Sequence, residues 1–200
     1  MKRLSRFLII LGAALLVYGG WNIYSAQIGE NESLQAAKVA IVEKKHLESA
    51  SESEAKVTIE GKKRFNPPAG EAVGILAIER LGARLPIIEG TDPDELERGV
   101  GHFTGSYYPD ESGQIVLSGH RDTVFRRAGE LERGDVLELL LPTGQFMYKI
   151  IETKIVDADD RSVLTLQNEK EELILTTCYP FRLVGNAPQR YIIYAERLQK

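Results

Sequence analysis

From Glu71 onward the chain is written in short apolar and β-branched runs separated by turn residues, which limits this part to an all-β architecture. The longest run makes the case. Met147, Lys149, Ile151, Thr153 and Ile155 alternate against Phe146, Tyr148, Ile150 and Glu152. A period of two sends successive side chains to opposite faces of a sheet. Strands are predicted at Val73–Ile78, Arg84–Ile88, Gln114–Ser118, Val136–Leu141, Gln145–Val156, Glu172–Cys178 and Arg190–Ala195. Leu141-Pro142-Thr143-Gly144 and Gly134-Asp135 read as turns. Two short helices are predicted. Asp92–Arg98 has Asp92 as N-cap and Pro93 at the first helical position, and the second covers Thr123–Leu131. Seven or eight short strands in about 130 residues favour a closed barrel, which leaves no sheet edge unpaired, over a two-sheet sandwich.

The N-terminal third obeys different rules. Lys2, Arg3 and Arg6 precede Phe7–Tyr24, a run without a charged side chain. Its length is at the short end of what spans a bilayer's hydrocarbon core. The basic flank predicts a cytoplasmic N-terminus and an extracytoplasmic remainder, with Trp21 and Tyr24 at the far interface. A cleaved signal peptide is the competing reading. It fits less well, because bulky Tyr24 sits where the site ending at Ala26 needs a small residue. Gln27–Gly70 is polar, serine- and acid-rich, and closes on Pro67-Pro68-Ala69-Gly70. It is expected to be a stalk that provides reach, with a helical piece over Ser33–Leu47. His46 is expected to be solvated there. The expected division is therefore an anchor over residues 1–26, a stalk over 27–70 and a β-barrel domain over 71–200.

Composition narrows the function classes. A formal net charge of −4 argues against a nucleic-acid partner, which selects for a basic surface. No Walker loop, GxGxxG or paired Cys/His ligand set is present, so neither a cofactor nor a metal site is expected. Asp157, Asp159 and Asp160 read as a solvated turn. The chain has one cysteine, and an exported protein with one unpaired thiol carries a dimer link, an accident or a reactive group.

Cys178 closes the run Leu173-Ile174-Leu175-Thr176-Thr177-Cys178-Tyr179-Pro180, where proline stops the ladder. The thiol is thus expected at a barrel rim, as a small packed hydrophobe or as a nucleophile. A nucleophilic thiol needs a base or a cation beside it. His120 ends a second strand, in Gln114–Ser118 followed by Gly119-His120-Arg121-Asp122, and Gly119 would let the chain turn inward. His102, in Gly99-Val100-Gly101-His102-Phe103, reads as a structural histidine or a support to the site. Arg190 opens the last predicted strand. If that strand runs antiparallel to the Cys178 strand, Arg190 lies beside the thiol, where a guanidinium can neutralise an oxyanion. Asp122 is the carboxylate nearest to His120 in sequence, and it could equally cap the helix predicted after it.

Three segments together resemble the sortase family: Leu117-Ser118-Gly119-His120-Arg121-Asp122-Thr123-Val124-Phe125, Leu175-Thr176-Thr177-Cys178-Tyr179-Pro180-Phe181 and Ala187-Pro188-Gln189-Arg190-Tyr191. The first two look most like class D members, and the resemblance covers about Val73 to Leu198. Ile174 stands where the common pattern has threonine, which leaves the subclass open. The resemblance implies an eight-stranded barrel with a His120–Cys178–Arg190 site and no cofactor. It implies cysteine transpeptidation: Cys178 cleaves a Leu-Pro-x-Thr-Gly-like sorting signal near the C-terminus of a secreted protein. The acyl group then passes to an amine of a peptidoglycan precursor. His120 would serve as acid and base, and Arg190 would hold the oxyanion or the substrate backbone. Asp157–Asn168 and Tyr179–Gln189 would line the substrate groove. Two other readings use the same residues: a Cys/His hydrolase that releases to water, and a tethered binding barrel in which Cys178 is only packed.

Overall fold

A computed structural model describes residues 2–51, 65–183 and 185–198; side chains at 2–8, 22–27 and 44–51 are outside that description. The spacer residues 52–64 and the His46 side chain therefore lie outside the described residues.

Eight strands close into a barrel in the order β1-β2-β3-β4-β7-β8-β6-β5. They are β1 (Ala72–Ile78), β2 (Ala83–Glu89), β3 (Val100–His102), β4 (Gln114–Ser118), β5 (Val136–Leu141), β6 (Gly144–Asp157), β7 (Glu172–Tyr179) and β8 (Gln189–Arg197). Most neighbours are antiparallel, whereas β2–β3 and β4–β7 are parallel. β5 and β6 are joined by the expected hairpin, with Leu141 opposite Gly144 across Pro142-Thr143. β3 has no counterpart among the predicted strands; it has three residues and pairs Ile87–Glu89 with Val100–His102.

The barrel interior holds Leu76, Ile78, Ile87, Leu117, Leu137, Leu139, Tyr148, Ile150, Leu173, Leu175 and Ile193. β1 is buried on both faces, and α1 supplies the second cover. This helix (Lys2–Ser51) runs unbroken from the predicted anchor into the predicted stalk. Leu34, Ala37 and Ile41 recur at i, i+3 and i+7, so they form one stripe, and they pack on Ala72, Ile75, Ile88 and Leu140. Ser33 and Ala37 are fully enclosed. The stretch expected only to provide reach is thus docked on the barrel. Among the described residues no helix is long and apolar enough to cross a membrane.

Two helix predictions need adjustment. α2 (Pro93–Arg98) starts as predicted, yet the Asp92 side chain makes no capping bond. The helix predicted over Thr123–Leu131 is instead a chain of turns ending in one 3₁₀ turn at Ala128–Glu130. Arg126, Ala128, Glu130 and Leu131 each donate their N–H to the carbonyl three residues back. The cause is the apolar spacing. Phe125, Ala128 and Leu131 all enter the core, and a strict interval of three stays on one face only at three residues per turn.

Candidate active site

The strand ends fix the site. β4 runs parallel to β7 with Leu117 opposite Leu175 and Ser118 opposite Thr176. Carried two residues on, that register brings His120 alongside Cys178. Two bonds hold the strands together past the last ladder pair. Gly119 donates its N–H to the Thr176 carbonyl at 3.1 Å, and Thr177 Oγ1 donates to the Gly119 carbonyl at 2.7 Å. On the other side of β7, Cys178 is paired directly with Arg190 of antiparallel β8.

Alternation then decides which way these groups point. Leu173, Leu175 and Ile193 belong to the interior, so Ile174, Thr176, Cys178, Ile192 and Arg190 belong to the outer face. There Val116, Ile174 and Ile192 form a separate apolar cluster under Phe103, Val156, Val163, Leu164 and Tyr194. Val163 and Leu164 come from the segment between β6 and β7 that was expected to line a groove. At the rim beyond this cluster a pocket of about 510 Å³ is lined by His120, Arg121, Asp122, Cys178, Gly185, Asn186, Ala187 and Arg190. All three predicted site residues are in it, and each is half-buried.

Local contacts set each side chain. Gly119 is needed for close approach: a Cβ there would lie 2.6 Å from Val124 Cγ2 and 2.7 Å from the Phe125 ring. Its expected role as a flexible turn gives way to that of a seat for Phe125. The Arg190 guanidinium donates through Nη1 to the Ala187 and Gln189 carbonyls at 3.3 and 3.0 Å, which ties it to the loop before it. Asp122 lines the pocket, and no helix begins there for it to cap. Its carbonyl accepts from Arg126 Nε and Nη2 at 2.9 and 2.6 Å.

His102 is elsewhere. It is 1% exposed, faces Glu89 Oε2 through Nδ1 at 2.7 Å, and reaches the Tyr107 carbonyl and Ser106 Oγ through Nε2. Its ring stacks on Tyr108 at 4.1 Å, and Tyr108 donates its hydroxyl to the same Glu89 oxygen at 2.6 Å. Burial pushes Glu89 up, but the bonds from His102 and Tyr108 outweigh it and hold the carboxyl below its ordinary range. Burial and the Glu89 charge push the Tyr108 phenol far above its usual value, so it stays a neutral donor. This is a packed polar network. Asp160, in the acidic turn, is held below its ordinary range by the Ser162 side chain and by the Ser162 N–H, which donates to it at 2.9 Å.

Sequence reasoning did not single out Arg121, Asn186 or Ala187. Arg121 had as its signal its place next to His120, and Asn186 and Ala187 fall in the Tyr179–Gln189 stretch expected to line the groove. The pocket can accommodate an acyl group on a thiol, with an imidazole on one side and a guanidinium on the other.

Comparison with known proteins agrees with this geometry. Residues 76–198 match the sortase domain family. The chain is 55% identical over 197 residues to Sortase D of Bacillus subtilis, covering 98% of each. A Clostridium perfringens Sortase D5 transpeptidase structure superposes with a TM-score of 0.67 at 25% identity, covering 86% of this chain and 99% of that one. The catalytic domain of B. anthracis SrtD gives 0.57 at 39% identity, covering 71% and 97%. A barrel of this topology, matched over most of its length to such relatives, places the chain in the sortase family of transpeptidases.

Proposed function

We propose that this chain is a membrane-anchored sortase of class D type that joins secreted proteins to the cell wall, with Cys178 as nucleophile, His120 as acid and base, and Arg190 as oxyanion or backbone holder. One observation carries the reading: the only cysteine, an imidazole and a guanidinium from three separate strand ends line one pocket on the outer barrel face. The Cys178 thiolate attacks the Thr carbonyl of a Leu-Pro-x-Thr-Gly-like signal. The peptide C–N bond breaks, and His120 protonates the departing amine. A thioester between Cys178 and the Thr acyl group remains. An amine of a peptidoglycan precursor then attacks that carbonyl, His120 takes its proton, and the C–S bond breaks as the new amide forms. Arg190 faces the carbonyl oxygen in both steps, where a preorganised cation is worth most.

The anchor is inferred from Lys2, Arg3 and Arg6 before an apolar helical stretch in which Ile9, Ile10, Leu15, Leu16 and Val17 are all more than 60% exposed. Such a surface calls for a covering phase, and the basic flank orients it with the barrel outside. The proposed division is an anchor to residue 26, a linking segment over 27–70 whose Leu34, Ala37 and Ile41 stripe docks on the barrel, and the catalytic barrel over 71–200.

Product analysis tests the reaction. The full chain, given a sorting-signal peptide and a primary amine, should convert the acyl fragment to an amide. Exclusive hydrolysis at saturating amine would overturn the transpeptidase assignment.

A further inference from the structure

Arg121 follows His120 directly and lines the same pocket, yet the steps above do not use it. Its Nη1 donates to the Pro180 carbonyl at 3.2 Å and its Nη2 to the Gly185 carbonyl at 2.6 Å. Both acceptors belong to the connection 180–188 between β7 and β8. Pro180 comes two residues after Cys178. Gly185 leads to Ala187, whose carbonyl receives the Arg190 guanidinium. One planar fork beside the imidazole therefore grips the segment that separates the other two groups. A guanidinium can do this because it offers several donors in fixed directions.

Among its described residues the connection has few hydrogen bonds of its own. Leu183 donates to the Pro180 carbonyl within it, and the Pro188 carbonyl accepts from Ala158 at its far end. Arg182, Leu183, Gly185, Asn186 and Pro188 are exposed. Phe181 is the apolar side chain of the connection that joins the core, packed over Gly129 and against Tyr179 and Tyr191. A segment with so little buried contact is in the low-stability range, where an external tether decides its position.

We propose that Arg121 is a positioning residue that latches the 180–188 connection to the His120 turn and so keeps Cys178, His120 and Arg190 in register for acyl transfer. The inference rests on reading the pocket as the sortase site. Hydrogen exchange by mass spectrometry and steady-state kinetics on the full chain test it, with Arg121→Ala, Arg121→Lys and Arg121→Gln. Arg121→Ala should speed exchange over 180–188 by roughly tenfold or more with the barrel strands unchanged. Its kcat should fall about 10- to 100-fold, the usual cost of a reacting group misplaced by about 1 Å. Lysine, which presents one ammonium to two carbonyls, should recover only part of the rate. Millimolar guanidinium should restore part of the activity of Arg121→Ala. Unchanged exchange over 180–188 together with unchanged kcat, or full activity with lysine, would overturn the latch. Should the alanine variant not fold, the glutamine and lysine variants give the same readouts. Exchange is read without substrate, so a loosened connection in a chain lacking transpeptidase activity would support the latch and count against the sortase reading alone.

Discussion

Gly119→Ala is the substitution whose cost can be worked most fully from the structure. The new Cβ would sit 2.6 Å from Val124 Cγ2 and 2.7 and 2.8 Å from two atoms of the Phe125 ring. An ordinary carbon contact needs about 3.5 Å, so something must give by roughly 0.8 Å. Phe125 is 1% exposed and packed in the core, which leaves the ring nowhere to swing. The backbone of Gly119 is held by Thr176 and Thr177 on its other side. Overpacking of this kind costs about 1–3 kcal/mol, and the lower chain entropy of alanine in the unfolded state returns about 0.4–1 kcal/mol. A net loss of about 1–2 kcal/mol corresponds to a Tm drop of about 2–8 °C for a chain of this size. The strain falls on the residue before His120, so the imidazole moves with it, and kcat/KM should fall by up to about 100-fold. Thermal melting by circular dichroism and a peptide transpeptidation assay read both effects. An unchanged Tm would refute the packing argument. A lowered Tm with full activity would refute the claim that Phe125 and Gly119 set the imidazole.

Three further outcomes follow from the same contacts. Glu89→Gln should lower stability at pH 7 by about 1–3 kcal/mol, because a buried acceptor of two bonds is weakened. The folded carboxyl titrates below its unfolded value, so its stabilisation is present above the ordinary carboxylate range and fades as pH falls through the folded value. Denaturant titrations of both proteins should therefore converge toward acid pH; a constant gap would contradict this. Ala37→Asp buries a carboxylate where α1 meets β1 and β2. It should release the helix, seen as faster amide exchange over residues 29–41, while the barrel strands stay protected; unaltered exchange would show that the docking contributes little. Cys178→Ala and His120→Ala should each cut turnover by at least about 10³-fold. Their melting points should stay within about 2 °C of the parent, since both side chains are half-buried at the rim. Unfolding of either variant would point to a packing role.

The strands were readable because each carries its own period-two or continuous apolar signal. β3 was not, since Gly99-Val100-Gly101-His102 contains a single β-branched residue and owes its strand form to parallel pairing with β2. The turns at 121–131 were misread as a helix because apolar residues three apart satisfy a helical pattern as readily as a 3₁₀ one; core burial of Phe125, Ala128 and Leu131 together selects the tighter winding. Over Ser33–Leu47 the sequence shows only a ragged apolar pattern of Leu34, Ala37, Val39, Ile41 and Val42; that Leu34, Ala37 and Ile41 pack while Val39 and Val42 stay exposed depends on the surface of β1 and β2, which the pattern does not encode. At the site, Cys178, His120 and Arg190 stood out as reactive types at strand ends. The reach of Arg121 did not, because its partners are backbone carbonyls whose positions no side-chain pattern encodes.

Acyl capture on sulfur is the most direct test of the central claim. The full chain is mixed with a Leu-Pro-x-Thr-Gly-like peptide without amine, quenched in acid, and mapped by intact and peptide mass spectrometry. A mass increase equal to the fragment ending in threonine, located on Cys178 and released by hydroxylamine, is the expected result. Cleavage of the peptide by Cys178→Ala, or an adduct carried by any other residue, would contradict it.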